Sequence, residues 1–304
     1  MFRIRSLLLP FILALVTFWI AIACNSLPGS GEMVIRVGSK NVAEQWILGE
    51  MYALALEDHG FTVERKLNLP GTTAAHNSLT RGEVDLYPEY TGTALLSVLK
   101  LPGNSDRQVV YETVKESYQE QFNLIWLAPS PMSNTQALVM TPQKSQEYRI
   151  NTLSDVVAQA ERLVMVGPPE FQEKEDGLPG IEEVYGPFTL KNYIAVSPEF
   201  RYSTLMSGEA HIAVGSSTDG EISAFKLVML QDDKNFFPPY QVAPVVRANV
   251  LKKHPEVADI LDNITTQITD SIMQDLNYEV TGKQQDPAMV AHDFLQKIQV
   301  LGKN

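Results

Sequence analysis

The sequence predicts an α/β protein with mainly parallel sheets, and three observations predict it. Strand patterns and helix patterns alternate from Val34 onward, the rhythm of a sheet flanked by helices. A short phrase made of a helix end, a glycine and a strand occurs twice, around Gly82 and around Gly208. Beyond residue 23 no second long apolar run appears, so the apolar side chains of the body are expected in a folded core rather than in a bilayer.

The elements follow in order. Residues 34–37 read as a strand broken at Gly38. A helix is predicted over 43–58, because Ile47, Leu48, Met51, Leu54 and Ala55 recur at helical spacing and Gly60 supplies the stop. Residues 61–67 form the next strand, a short helix over 74–80 ends at Gly82, and 84–87 is a strand again. Residues 91–99 and 106–121 are helical in pattern. Thr152-Leu153-Ser154-Asp155 has the form of a capping box, in which a hydroxyl and a carboxyl satisfy the first N–H groups of a helix. The short apolar runs 163–166 and 211–214 read as buried strands, and 255–298 is mostly amphipathic helix.

The first residues address the chain out of the cytoplasm. Arg3 and Arg5 precede an apolar run over 7–23, which ends in Ala21-Ile22-Ala23-Cys24. A basic start, an apolar stretch and small residues at its edge make a secretory signal. With the sole cysteine of the chain at its end, this edge resembles the lipobox of bacterial lipoproteins, which implies that residues 1–23 are removed and that Cys24 carries the lipid; the alternative reading of the apolar run is a plain transmembrane anchor. No disulfide is available to such a chain. Residues 24–32 are small and polar, as a tether requires. Removing 1–23 takes the net charge from −12 to −14, a balance that argues against nucleic acid as a partner.

The repeated phrase is Leu79-Thr80-Arg81-Gly82-Glu83-Val84-Asp85-Leu86 and Leu205-Met206-Ser207-Gly208-Glu209-Ala210-His211-Ile212. Each copy runs on into a turn of small hydroxyl residues, Tyr90-Thr91-Gly92-Thr93 and Ser216-Ser217-Thr218-Asp219-Gly220. The copies lie too far apart for a solenoid and suit two similar lobes. Ligands of open α/β sheets sit beyond the carboxyl ends of strands, so both turns are expected at one cleft.

Four strings carry a family likeness: Gly38-Ser39-Lys40-Asn41, Asp85-Leu86-Tyr87-Pro88-Glu89-Tyr90-Thr91-Gly92-Thr93, Gly177-Leu178-Pro179-Gly180 and Phe237-Pro238-Pro239-Tyr240. In order and spacing the chain resembles the glycine betaine/choline-binding proteins of the ProX and OpuC type. The resemblance implies a two-lobed type II periplasmic binding protein fold, with 33–134 and 239–304 in one lobe and 135–238 in the other. It also implies a quaternary ammonium ligand, closure of the lobes on it, and delivery to an ABC permease with a separate ATPase subunit, for osmoprotectant uptake. In such a site the head group has no N–H to donate, and tyrosine faces attract it instead. By resemblance Tyr90 and Tyr240 match cage tyrosines, and Lys40 and Thr93 match residues that hold the ligand carboxylate. Both ends of a zwitterion are then matched, which favours a betaine over choline.

Three positions depart from the family pattern. Gln136 and Ser216 stand where aromatics are common, and Lys174 where an arginine is common. Lysine keeps the charge but loses the planar two-pronged grip. The missing rings are replaced by another aromatic, with Trp46, Phe171 and Tyr202 as candidates, or else Gln136 and Ser216 bind a polar group on a larger betaine-like ligand. The ligand set expected by resemblance is thus Lys40, Tyr90, Thr93, Gln136, Lys174, Ser216 and Tyr240, with no cofactor, no metal and no catalysis. The five histidines lack metal-ligand spacing, and Gly215-Ser216-Ser217-Thr218-Asp219 lacks the second glycine of a nucleophile elbow. Asp85 and Glu89 are expected to fix the turn that presents Tyr90. Two rival roles keep the scaffold: a lipid-anchored solute sensor, and an enzyme built on Ser217 or Asp85.

Overall fold

A computed structural model describes residues 34–302. The signal over 1–23 and the whole tether over 24–32, Cys24 included, lie outside the described residues. No described helix is long and apolar enough to cross a membrane.

Ten strands form two five-stranded sheets. The first contains β1 (Val34–Lys40), β2 (Thr62–Leu69), β3 (Leu86–Tyr90), β4 (Leu124–Trp126) and β10 (Val242–Arg247), in the order β2-β1-β3-β10-β4. The second contains β5 (Gln136–Met140), β6 (Val164–Gly167), β7 (Asn192–Ala195), β8 (Ile212–Ser216) and β9 (Val228–Met229), in the order β7-β6-β8-β5-β9. Each sheet is mixed, not mainly parallel. β1 pairs parallel with β3, and β6 parallel with β7 and β8. β10 runs antiparallel to β3 and β4, and β5 antiparallel to β8 and β9. The reason is topological: β5 and β10 are the strands that enter a sheet as the chain arrives from the other one, so no helical crossover sets their direction.

Both faces of the second sheet are covered. Leu138 and Met140 of β5 join Met165, Ile212 and Val214 in one buried cluster, while Ala137 and Val139 join Val164, Val166 and Ala213 in another. Side chains alternate across a strand with period two, so a strand buried on both faces reads as the unbroken apolar run seen over 211–214. Gly38 does not end β1, which continues to Lys40. A side chain there would press on Val84 and Leu69, so the glycine marks close packing rather than a break.

The helix over Ala43–Asp58 occupies the predicted residues, and Thr152 and Asp155 form the capping box. The repeated phrase is realised in both sheets. Gly82 ends the helix Gly71–Arg81 with φ 74°, and Gly208 follows the helix Arg201–Met206 with φ 83°. Both glycines occupy the left-handed region that other residues enter at a cost. Each leads into a central strand, β3 or β8, whose carboxyl end carries candidate ligand residues.

The chain passes between the sheets over 127–135 and 230–241, and the two passages are laced together. The Asn134 N–H donates to the Tyr240 carbonyl at 3.0 Å, the Tyr240 N–H to Ser133 Oγ at 2.9 Å, and Thr135 Oγ1 to the Pro238 carbonyl at 2.9 Å. A helix over Asp270–Thr281 spans the sheets' helical layers. It packs on the Ala43–Asp58 helix and on the Gly220–Ala224 helix that follows β8.

Candidate ligand-binding site

The carboxyl ends of β1 and β3 hold a dense, buried set of charged and aromatic groups. Lys40 ends β1, and its Nζ donates to Glu89 Oε1 at 2.5 Å with both side chains buried. Glu89 is fully buried and also accepts the Tyr90 N–H at 2.7 Å and the Tyr87 hydroxyl at 3.0 Å. Lys40 Nζ lies 4.8 Å from the centroid of the Tyr90 ring, within range of cation–π attraction. The Tyr90 hydroxyl donates to Glu44 Oε1 at 2.6 Å. Burial first, and then the charge and hydrogen bond of Glu44, hold the Tyr90 phenol well above its ordinary pKa. Asp85 is clasped by Arg36, at 2.9 Å to Nε and 2.9 Å to Nη2, and by Arg247 at 3.4 Å. Asp85 and Glu89 therefore brace the strand that presents Tyr90, and neither pairs with the other.

The second sheet offers a different surface. Gln136 of β5 and Ser216 of β8 are directly opposed in antiparallel register, which brings side chains of one face to about 5 Å. Two of the three departures from the family pattern therefore form a single patch. Ser216 is fixed through its N–H, which donates to Asp219 Oδ2 at 2.8 Å; the same oxygen accepts Tyr202 at 2.5 Å and Arg201 at 2.5 Å. A cavity of about 130 Å³ is lined by Asn134, Gln136, Asp176, Ser216 and Tyr240, among others. A larger cavity of about 380 Å³ shares Thr135, Gln136 and Pro238 with it.

Of the seven candidates, the structure brings Gln136, Ser216 and Tyr240 to one cavity. It sets Lys40 beside Tyr90, but neither lines that cavity, and Thr93 is half-buried at the end of a helical turn over Thr91–Thr93. The two groups meet through one residue. Asn134 lines the cavity, and its amide donates at 2.9 Å to the same Glu44 oxygen that accepts the Tyr90 hydroxyl. Lys174 is exposed, and Asp176, two residues on, lines the cavity instead. Burial, with the charge of Asp176, raises the Tyr240 phenol. Gly92 is needed beneath Tyr240: a Cβ there would lie 2.7 Å from the Pro239 carbonyl and 2.8 Å from the ring.

Phe171 and Tyr202 do not fill in for missing rings, since both are buried in the packing of the second sheet. Trp46 is half-buried in the helix that follows β1. Ser217 is no nucleophile in this arrangement. It is buried, its hydroxyl donates to the Ser133 carbonyl, and it accepts the Thr135 N–H at 3.1 Å. Glu44, Asn134, Asp176 and Asn277 escape a reading by sequence, because each acquires meaning only from partners far along the chain.

Two sheets joined by paired passages, with candidate ligand residues at strand ends of both, define a two-lobed solute-binding protein. Matching supports this and gives the family. The chain belongs to the family described as the substrate-binding domain of ABC-type glycine betaine transport systems, which matches residues 34–297. It is 36% identical over 268 residues to the ergothioneine transport permease/ergothioneine-binding protein EgtU of Helicobacter pylori, covering 88% of this chain and 48% of that one. The chain thus spans about half the length of that relative. It is 32% identical to the carnitine transport binding protein OpuCC of Listeria monocytogenes, covering 94% of this chain and 95% of that one. The crystal structure of a glycine betaine/carnitine/choline ABC transporter superposes with a TM-score of 0.84 at 29% identity, over 88% of this chain and 100% of that chain. Substrate-binding proteins of ABC importers are extracytoplasmic and have no catalysis of their own.

Proposed function

We propose that this chain captures a betaine-type quaternary ammonium compound larger than glycine betaine and hands it to a membrane permease powered by a separate ATPase. The lipid on Cys24 keeps it at the membrane. The lobes are 33–134 with 239–304, and 135–238, and they close on the solute. The observation that carries the ligand size is the opposed pair Gln136 and Ser216 in one cavity with Tyr240. Two rings absent from one contiguous patch leave room, and the polar groups left there suit a substituent that hydrogen-bonds.

The chemistry follows from the residues. Tyr90 and Tyr240 offer ring faces to the methylated nitrogen when the lobes close, and the ammonium already over Tyr90 supports a cation-facing ring. Lys40 has three N–H donors and gives one to Glu89, so two remain for a ligand carboxylate. Thr93 adds a hydroxyl, and Lys174 adds charge from its loop. EgtU, by its name an ergothioneine-binding protein, and OpuCC, a carnitine transport binding protein, support a substituted betaine as the solute.

Isothermal titration with glycine betaine, carnitine, proline betaine, ergothioneine and choline tests the reading. Carnitine or ergothioneine is expected to bind more tightly than glycine betaine, and choline, lacking a carboxylate, more weakly. An absence of heat with every quaternary ammonium compound overturns the ligand assignment and leaves the family unchanged.

A further inference from the structure

Glu44 is a buried carboxylate that has no cationic partner among the described residues. It lies in the first turn of the Ala43–Asp58 helix and is 6% exposed. Three neutral groups converge on it: the Tyr90 hydroxyl at 2.6 Å and Asn134 Nδ2 at 2.9 Å on Oε1, and Asn277 Nδ2 at 2.9 Å on Oε2. All three donate, as an ionised carboxylate requires. No lysine, arginine or histidine nitrogen stands within 4.0 Å of it among the described residues. The neighbouring ammonium of Lys40 is held by Glu89. A buried charge with hydrogen bonds but no counter-ion remains costly, and a cation arriving nearby recovers part of that cost.

We propose that Glu44 is the residue through which this site selects for positive charge, acting through Tyr90 as the standing counter-ion of the bound solute. The inference rests on the proposed capture of a quaternary ammonium ion and adds the group that distinguishes its charge from its shape. A phenol that donates to a carboxylate by a short, charge-assisted bond carries more negative charge on its ring. The ring face then attracts a cation more strongly and an uncharged group of equal size no better. Glu44 also ties this effect to both sheets. Asn277 Nδ2 donates to the Thr218 carbonyl at 2.8 Å, in the turn after β8, while it holds Glu44. Asn134 brings the bond from the passage between the sheets. The carboxylate is thus held in one position relative to Tyr90 by groups from three separate parts of the fold.

The test compares each cation with its carbon isostere, which has a tert-butyl group in place of trimethylammonium. Titration calorimetry would measure glycine betaine against 3,3-dimethylbutanoate, and choline against 3,3-dimethylbutan-1-ol, on the wild-type chain and on Glu44→Gln. The wild type is expected to prefer the trimethylammonium member of each pair, and Glu44→Gln to lose about tenfold of that preference, while Glu44→Asp retains most of it. If Glu44→Gln does not unfold cooperatively, Tyr90→Phe is measured instead: it keeps the ring and removes the hydroxyl that joins it to Glu44. It is expected to show the same loss. An undiminished preference in either folded variant overturns the role of Glu44 and leaves quaternary ammonium capture standing. A wild type that binds none of the four probes overturns both.

Discussion

The ends of β3 and β8 are built on the same phrase, yet they meet the cleft with opposite kinds of surface. Around β3 the charges are buried and paired or hydrogen-bonded: Lys40 with Glu89, Tyr90 with Glu44, Asp85 with two arginines. Around β8 and β5 the cavity-lining Gln136 and Ser216 are half-buried and uncharged, with one charge pair, Asp219 with Arg201, behind Ser216, and with Asp176 and Lys174 exposed on a neighbouring loop. The first surface is fixed before a solute arrives, because its rotamers are locked by packing and bonds. The second can exchange one side chain for another with little disturbance to the core. Recognition of charge is therefore expected to reside in the first sheet, and recognition of the remainder of the solute in the second.

The sharpest way to break this comparison is to remove one side chain from each surface. Tyr90→Ala should weaken binding of the preferred betaine about thirtyfold or more, the worth of a desolvated cation–π contact of about 2 kcal/mol. Gln136→Ala should cost less than about fivefold, as expected for one partly solvated hydrogen bond of about 1 kcal/mol. Calorimetry that finds the two effects equal, or reversed, removes the division of labour.

A gain-of-function pair sharpens it. Gln136→Tyr with Ser216→Tyr puts rings back on one patch, and each ring contributes about 0.5–2 kcal/mol to a small cation. Glycine betaine should bind about fivefold to about a thousandfold more tightly, and carnitine or ergothioneine should lose affinity as their space is filled. Competition titration measures the ratio, and a parallel rise for all three solutes contradicts the assignment of size to this patch.

The smallest expected effect concerns two histidines, one in each half, buried His76 and half-buried His211. Burial lowers the pKa of both; His211 is lowered further by Lys144 and Lys191. The unfolded chain therefore takes up these protons first as pH falls, so their contribution to stability is complete above about pH 6.5 and declines below it. His76 sits edge-on to Tyr118 and Phe122, and His76→Phe should flatten the acid side of a thermal-melting profile at little cost near pH 7.5. His211 accepts the Val164 N–H at 2.9 Å. His211→Phe should lower stability by about 1–3 kcal/mol near pH 7.5, because it leaves a backbone donor unmatched, and by less on the acid side, where a protonated His211 no longer accepts.

Much of the architecture was legible in the residues, because it is locally encoded. The Ala43–Asp58 helix, the capping box at Thr152 and the paired glycines at Gly82 and Gly208 each depend on neighbours within one or two turns. Strand direction was not legible. β10 runs antiparallel beside β3 because the chain returns after building another sheet, and no periodicity in 242–247 records that. The site divided along the same line. Gln136, Ser216 and Tyr240 could be placed by family pattern and fall together. Glu44 could not, since its partners Asn134 and Asn277 lie 90 and 233 positions away. Asp176 was hidden for another reason: within a run of charges, no rule of sequence says which side chain turns inward.

The lacing of the two passages, Asn134 to Tyr240 and Thr135 to Pro238, has a mechanical meaning. A ladder of this kind bends across its width far more easily than it slides along its length, since sliding must break every rung together. With the Asp270–Thr281 helix packed on both layers as a further tie, bending at the passages is the expected relative motion of the sheets. On the proposed function, a solute that bridges them would act along that motion alone, and the geometry offered to a permease would be the same whichever betaine filled the jaw.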